Sequence, residues 1–254
     1  MSGIMSITGE GPGRPPVKMG APITDITAGI LAAMAVSAAY VHKLKTGEGQ
    51  QIDTSLFEAG IVHTYWQSAI GLATGTAPGP MGSAHPLNGP YQAFQTSDGW
   101  ITLGAANQKN WLGLLDVLEA PEIADDPRFR ENADRMANLA DLETVLNDIF
   151  LRHSTDDWLS RLEAAGVPAG PVLTVNQMHE DPHALARDMI VEVEHSRLGP
   201  VKTIGLPVKF SKTPGRVATG APVYGEHTRE VLAEYGYDKA AVEELIAAGA
   251  VVAQ

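Results

Sequence analysis

Asp25 stands in the run Gly20-Ala21-Pro22-Ile23-Thr24-Asp25-Ile26-Thr27-Ala28-Gly29, ahead of sixteen residues that carry no charge, Ile26 to Val41. The first amide N–H groups of a helix lack internal partners, and the helix dipole is positive there. A carboxylate held at that point stays ionised and can act as a nucleophile or a base. Aspartate is equally a common N-cap, so the local pattern leaves both readings open. Lys18, Lys43 and Lys45 are cations able to meet phosphate oxygens, although Lys43 and Lys45 also suit the negative end of a helix. His179 and His183 are four residues apart, with Glu180 and Asp181 between them. Asp181-Pro182 should break the helix there, so a shared metal-binding face is not expected. His85, next to Pro86, lies in chain of linker composition and reads as a loop residue.

The elements that would position these groups follow from periodicity and punctuation. The uncharged run predicts a long helix from about Asp25 to Leu44, closed by Lys45-Thr46-Gly47. At sixteen uncharged, Ala-rich residues it is short for a membrane span, so a helix buried inside a globular domain is expected. Gln50 to Leu56 reads as a short strand or extended segment, and Phe57 to Leu72 as one helix. Such a unit cannot cover so apolar a first helix, so something else must. The Gly/Pro-rich stretch within residues 73–87 is a linker. Tyr91–Gln95 and Trp100–Gly104 form a hairpin around Thr96-Ser97-Asp98-Gly99. Asn107 caps a helix reaching Glu119, Asn138 starts an amphipathic helix, and Ser154 starts another that ends at Gly166. Asp181-Pro182 opens a short helix. Strands follow at Ile190–Glu194 and Val201–Ile204, then helices near Arg229–Tyr235 and Asp238–Ala248.

Composition excludes several classes. The chain has 254 residues, 44% apolar and 19% charged, enough to build a core. A net charge of −12 argues against nucleic acid or an anionic membrane as a partner. With no cysteine there can be no disulfide, zinc thiolate or cysteine nucleophile, which fits a cytoplasmic location. Met1 to Ser6 lacks the basic start of a secretory signal. Gly9-Glu10-Gly11-Pro12-Gly13 is not a dinucleotide loop, because no strand precedes it and a proline interrupts it. Asp125, Asp126, Glu131 and Asp134 read as a solvated acidic surface.

Six ordered fragments resemble family III CoA-transferases, the group that includes formyl-CoA and carnitine CoA-transferases and the α-methylacyl-CoA racemases. They are Gly20-x-Pro22-x-x-Asp25-x-x-x-Gly29; Lys45-Thr46-Gly47-Glu48-Gly49-Gln50 with Ile52-Asp53-x-Ser55-Leu56; and His85-Pro86…Pro90-Tyr91-x-Ala93-Phe94. The others are Ala165 to Val172, Asp181-Pro182-His183…Ala186-Arg187-Asp188-Met189, and Leu198-Gly199-Pro200…Lys209-Phe210-Ser211-Lys212-Thr213-Pro214 before Gly225-Glu226-His227-Thr228.

The resemblance implies an α/β fold, with this chain as its C-terminal part. Residues 1–72 would be a helical remnant of a large Rossmann-like CoA-binding domain and 73–87 a linker. Residues 88–188 would be a small α+β domain, and 189–254 a returning segment with C-terminal helices. By resemblance Asp25 is the nucleophile: it takes an acyl group from an acyl-CoA as a mixed anhydride, then carries CoA as a thioester to an acceptor acid. The alternative within the family is a racemase, whose second base lies in the N-terminal part and whose orienting Glu aligns with Asn107; transferase is favoured. A non-catalytic fragment or subunit is the other alternative. No tightly bound cofactor is expected, coenzyme A being carried by the substrate. The partners implied are an acyl-CoA donor, a carboxylic acid acceptor and a second copy in an interlocked homodimer.

Overall fold

The structure, a computed structural model, describes residues 1–254. After an irregular N-terminal stretch come helices α1 (Ile23–Thr46), α2 (Leu56–Val62) and α3 (Tyr65–Thr74). Strands β1 (Tyr91–Gln95) and β2 (Trp100–Gly104) precede α4 (Gln108–Val117), α5 (Asn132–Ala137), α6 (Leu139–Phe150) and α7 (Thr155–Ala164). Strand β3 (Ala169–Pro171) leads to α8 (Val175–Glu180) and α9 (Pro182–Ala186). Strands β4 (Ile190–His195) and β5 (Gly199–Ile204) and helices α10 (Thr228–Glu234) and α11 (Lys239–Ala247) complete the chain. Packing divides it into two compact units, Met1–Val172 and Leu173–Gln254.

The core of the first unit grows from the hairpin. Thr96 and Gly99 close the turn, with Thr96 N–H on the Gly99 carbonyl and Gly99 N–H on Thr96 Oγ1, both at 3.0 Å. Pairing Phe94 with Ile101 and Gln92 with Leu103 puts alternate side chains on one face. Phe94, Ile101 and Leu103 on that face are buried against Trp111, Leu114 and Leu115 of α4, Leu142, Leu146 and Phe150 of α6, and Trp158 and Leu162 of α7. β3 adds antiparallel to β2, Ile101 opposite Pro171, giving the order β1-β2-β3. Asn107 and Ser154 accept from the amides of Asn110 and Asp157, so both helices begin where their caps stand.

Arg135 is fully buried inside this unit. Its Nε donates to the Gly89 carbonyl at 2.6 Å, and Nη1 donates to the Phe129 and Arg130 carbonyls at 3.0 and 3.1 Å. The guanidinium also lies 4.8 Å over the Trp111 ring, whose own Nε1 has no partner. Burial pulls the arginine's pKa down, and the charges of Glu131 and Asp134 push it back up. This one side chain ties the entrance of β1 to the loop before α5.

Three expectations need correction. The long apolar helix is not buried: α1 has no buried residue, and Ile30 and Met34 are 64% and 63% exposed. Within residues 1–254 the only helix lying along it in strength is the short α2, which cannot cover its circumference. At 24 residues α1 also has the length and composition of a membrane span, so shortness does not argue against one. Residues 50–55, read as a short strand or an extended segment, pair with no strand, which leaves the second of those readings. The helix expected over 57–72 is broken at His63 and Thr64, because the Thr64 hydroxyl takes the Ile61 carbonyl at 2.8 Å and Gly60 weakens the turn before it.

The second unit is lightly packed. β4 and β5 form a two-stranded antiparallel ladder, Ile190 opposite Ile204 and His195 opposite Gly199. Thr174 and Gln177 cap α8 reciprocally, while Asp181 accepts from the amides of His183 and Ala184 to start α9. His179 and His183 therefore stand on separate helices.

Candidate functional site

α1 begins at Ile23, with Pro22 at the N-cap and no side chain capping it. Asp25 is thus the third residue of the helix, not its cap, and its carboxylate is exposed. Its one hydrogen bond is from its neighbour: Thr24 Oγ1 donates to Oδ2 at 3.0 Å. The first helical bond runs from the Ile26 amide to the Pro22 carbonyl, so the Thr24 and Asp25 amides donate to nothing in the chain. An unengaged carboxylate oxygen and two free N–H groups therefore share one turn. That turn can hold an anion and can supply donors to an oxygen gaining negative charge.

Two neighbours fix this turn. A Cβ on Gly60 of α2 would come within 2.5 Å of Ser2 Oγ and 3.2 Å of Thr24 Cγ2, so only glycine lets α2 and the N-terminal residues close on Thr24. Thr27 Oγ1 lies 2.7 Å from His63 Nε2, tying the next helical turn to the end of α2. Sequence reading did not single out Gly60 or His63. Gly60 was open to notice as a lone glycine within a helical pattern; His63 carried no local signal.

The candidate lysines are not gathered at this turn. Lys43 and Lys45 lie in the last turn of α1, where the Gly47 amide takes the Lys43 carbonyl at 2.8 Å. Eighteen residues of helix put Lys43 about 27 Å along the axis from Asp25. Lys18 is exposed in the loop before α1. None of the three lysines is in an ion pair. Asn107 is committed as the cap of α4, its Oδ1 accepting the Asn110 amide at 2.8 Å.

The α/β fold is one already seen in solved structures. A CAIB/BAIF family protein from Brucella suis superposes with a TM-score of 0.77 at 35% identity, over 92% of this chain and 60% of that one. Rv3272 from Mycobacterium tuberculosis, at 23% identity and a TM-score of 0.75, shares the fold. Residues 1–228 match the family described as CoA-transferase family III, and the chain belongs to that family. It is 34% identical to a human succinyl-CoA:glutarate CoA-transferase over 99% of its own length and 57% of the relative's. It is 35% identical to the succinate–glutarate CoA-transferase of Agrobacterium fabrum, over 92% of this chain and 58% of that protein. The chain therefore spans somewhat under three fifths of the length of these relatives.

Proposed function

We propose that the protein moves coenzyme A from an acyl-CoA to a carboxylic acid, with a dicarboxylate on at least one side of the exchange. The observation that carries this reading is family membership over residues 1–228. Its substrate class is suggested by relatives named for succinate with glutarate, mesaconate or citramalate, and for oxalate. What supports Asp25 as the covalent group is its free carboxylate beside two unpartnered amides at the start of α1.

The exchange is a series of acyl transfers at carbonyl carbon. An Asp25 oxygen attacks the thioester carbonyl, the C–S bond breaks, and CoA leaves as the thiolate. The thiolate then attacks the aspartyl carbonyl of the mixed anhydride and releases the donor acid as its carboxylate. The acceptor carboxylate attacks the resulting aspartyl thioester and displaces thiolate again. A last attack by thiolate on the new acyl carbon gives the product acyl-CoA and restores the Asp25 carboxylate. No net proton, oxidant or reductant is consumed, and each tetrahedral oxyanion can draw on the free first-turn N–H groups.

Lys18, Lys43 and Lys45 are the cations proposed to meet phosphate groups of CoA. A homodimer working in the cytoplasm belongs to the same reading, and the uncovered apolar surface of α1 supports a further protein surface against it. The test is intact mass after exposure to acyl-CoAs, with Asp25→Ala in parallel. An acyl or CoA adduct removed by hydroxylamine and missing from the variant is expected. An adduct that survives the substitution would overturn the assignment, as would α-proton exchange with solvent deuterium in the absence of any acceptor acid.

A further inference from the structure

His85 is held from four directions. Its amide donates to the Tyr91 carbonyl at 2.9 Å. Its ring stacks on Tyr91, centroids 5.1 Å apart and planes 7° from parallel, and meets Trp66 edge-on at 4.8 Å. The Leu87 amide donates to Nδ1 at 3.1 Å, and the Asn88 side-chain nitrogen lies 3.5 Å from the same atom. A neutral imidazole carries its hydrogen on the nitrogen that is not accepting. The hydrogen is therefore on Nε2, and Nε2 has no hydrogen-bond partner within the chain. The result is a half-buried ring, clamped between two aromatic side chains, that offers one N–H in a fixed direction.

Trp66 of the clamp follows closely in the chain on the residue that meets the start of α1: it is three residues past His63, and His63 meets Thr27, two residues past Asp25. An N–H donor between aromatic faces binds an anionic oxygen more strongly than one in open water does. We propose that His85 is a substrate-binding residue, its Nε2–H donating to a carboxylate oxygen of the dicarboxylic acid or acyl group. This rests on the dicarboxylate reading above and names a group that would select for it. A ring serving only to order the loop would need Nδ1 and not Nε2, so the two roles separate by atom.

The test uses both atoms. In protein labelled with ¹⁵N-histidine, long-range ¹H–¹⁵N spectra are recorded during titration with succinate, glutarate, mesaconate and oxalate. The His85 signals are expected to report the Nε2–H form, and Nε2 is expected to shift with at least one of these acids but not with butyrate or valerate. A ring protonated at Nδ1 alone, or one that none of the four acids moves, would overturn the assignment. His85→Gln, whose amide nitrogen can reach the Nε2 position, is expected to keep affinity for the responding acid within about threefold. His85→Asn, which keeps only a polar atom near Nδ1, is expected to lose about tenfold or more with its melting temperature unchanged, as for a lost hydrogen bond to a charged group. The reverse order would assign His85 to loop structure alone. An Asp25 adduct without any ring response would sink the His85 assignment and leave the transfer reading standing. A ring response without an adduct would do the opposite.

Discussion

The hairpin with its helices and the α1 arm are both rich in apolar residues, yet they treat them in opposite ways. Between Tyr91 and Val167 the apolar side chains close on one another, and Phe94, Trp111, Leu146 and Phe150 are fully buried. Over Ile23–Thr46 no residue is buried, although this run is long and apolar enough to cross a membrane. The difference lies in periodicity. α6 carries Leu142, Leu146, Ile149 and Phe150 on one stripe and needs one partner. α1 is apolar on all sides and needs to be surrounded. Hydropathy records what a segment would gain by burial; it does not supply the partner.

Substitutions can break or sharpen this contrast. The largest effect is expected at Leu146→Ala, where a fully buried side chain is removed. It should cost about 2–5 kcal/mol in urea unfolding followed by tryptophan fluorescence, since Trp111 and Trp158 lie in the same core. A smaller cost would show that this core collapses around cavities and is not close-packed.

An intermediate effect belongs to Asp98 in the hairpin turn. Its Oδ1 accepts from the Thr155 amide at 2.8 Å and from the Thr155 hydroxyl at 2.9 Å, pinning the start of α7. These bonds, the backbone one first, hold its carboxyl below the usual carboxylate range. A lowered folded pKa gives stability that is complete above the unfolded value, near pH 4, and lost as pH falls through the folded value. Asp98→Asn should therefore lower the urea midpoint near pH 7. The gap to the parent protein should narrow steadily below about pH 4. A gap independent of pH would mean that the carboxylate charge plays no part.

The smallest effect is expected on α1. Met34→Ala should change the stability of the 254-residue chain by no more than about 0.5 kcal/mol, because the side chain is already in solvent. In a protein of the relatives' length the same substitution would become costly if the added chain covers that face. A large cost in the chain by itself would show that α1 is buried after all.

What could be read from the sequence was whatever is decided locally. The hairpin, the Asn107 and Ser154 caps and the Asp181-Pro182 helix start stand where their own residues put them. The motif order was enough to identify the family, since those fragments are local too. Missed were α5, α8 and β3. The first two are only six residues each, too short for a periodic signal, and β3 exists only because β2 offers an edge to Ala169–Pro171. At the candidate site Asp25 was visible, but its place inside the helix was not, because Pro22 takes the cap. The Thr27–His63 contact joins residues 36 apart, and no spacing rule reaches that far.

The third strand has a consequence for how the first unit is made. Thr102 and Gly170, partners across β2 and β3, are 68 residues apart in the chain. At about 5–20 residues per second, β2 leaves the ribosome roughly 3–14 s before the strand that covers its edge. Local pairing of β1 with β2 and the intervening helices can form in that interval, while the long-range closure must come last. Until then β2 presents a row of free amides and carbonyls beside a newly forming apolar core. A nascent chain stalled just short of Ala169 should be the species most prone to pair with its neighbours on the same polysome.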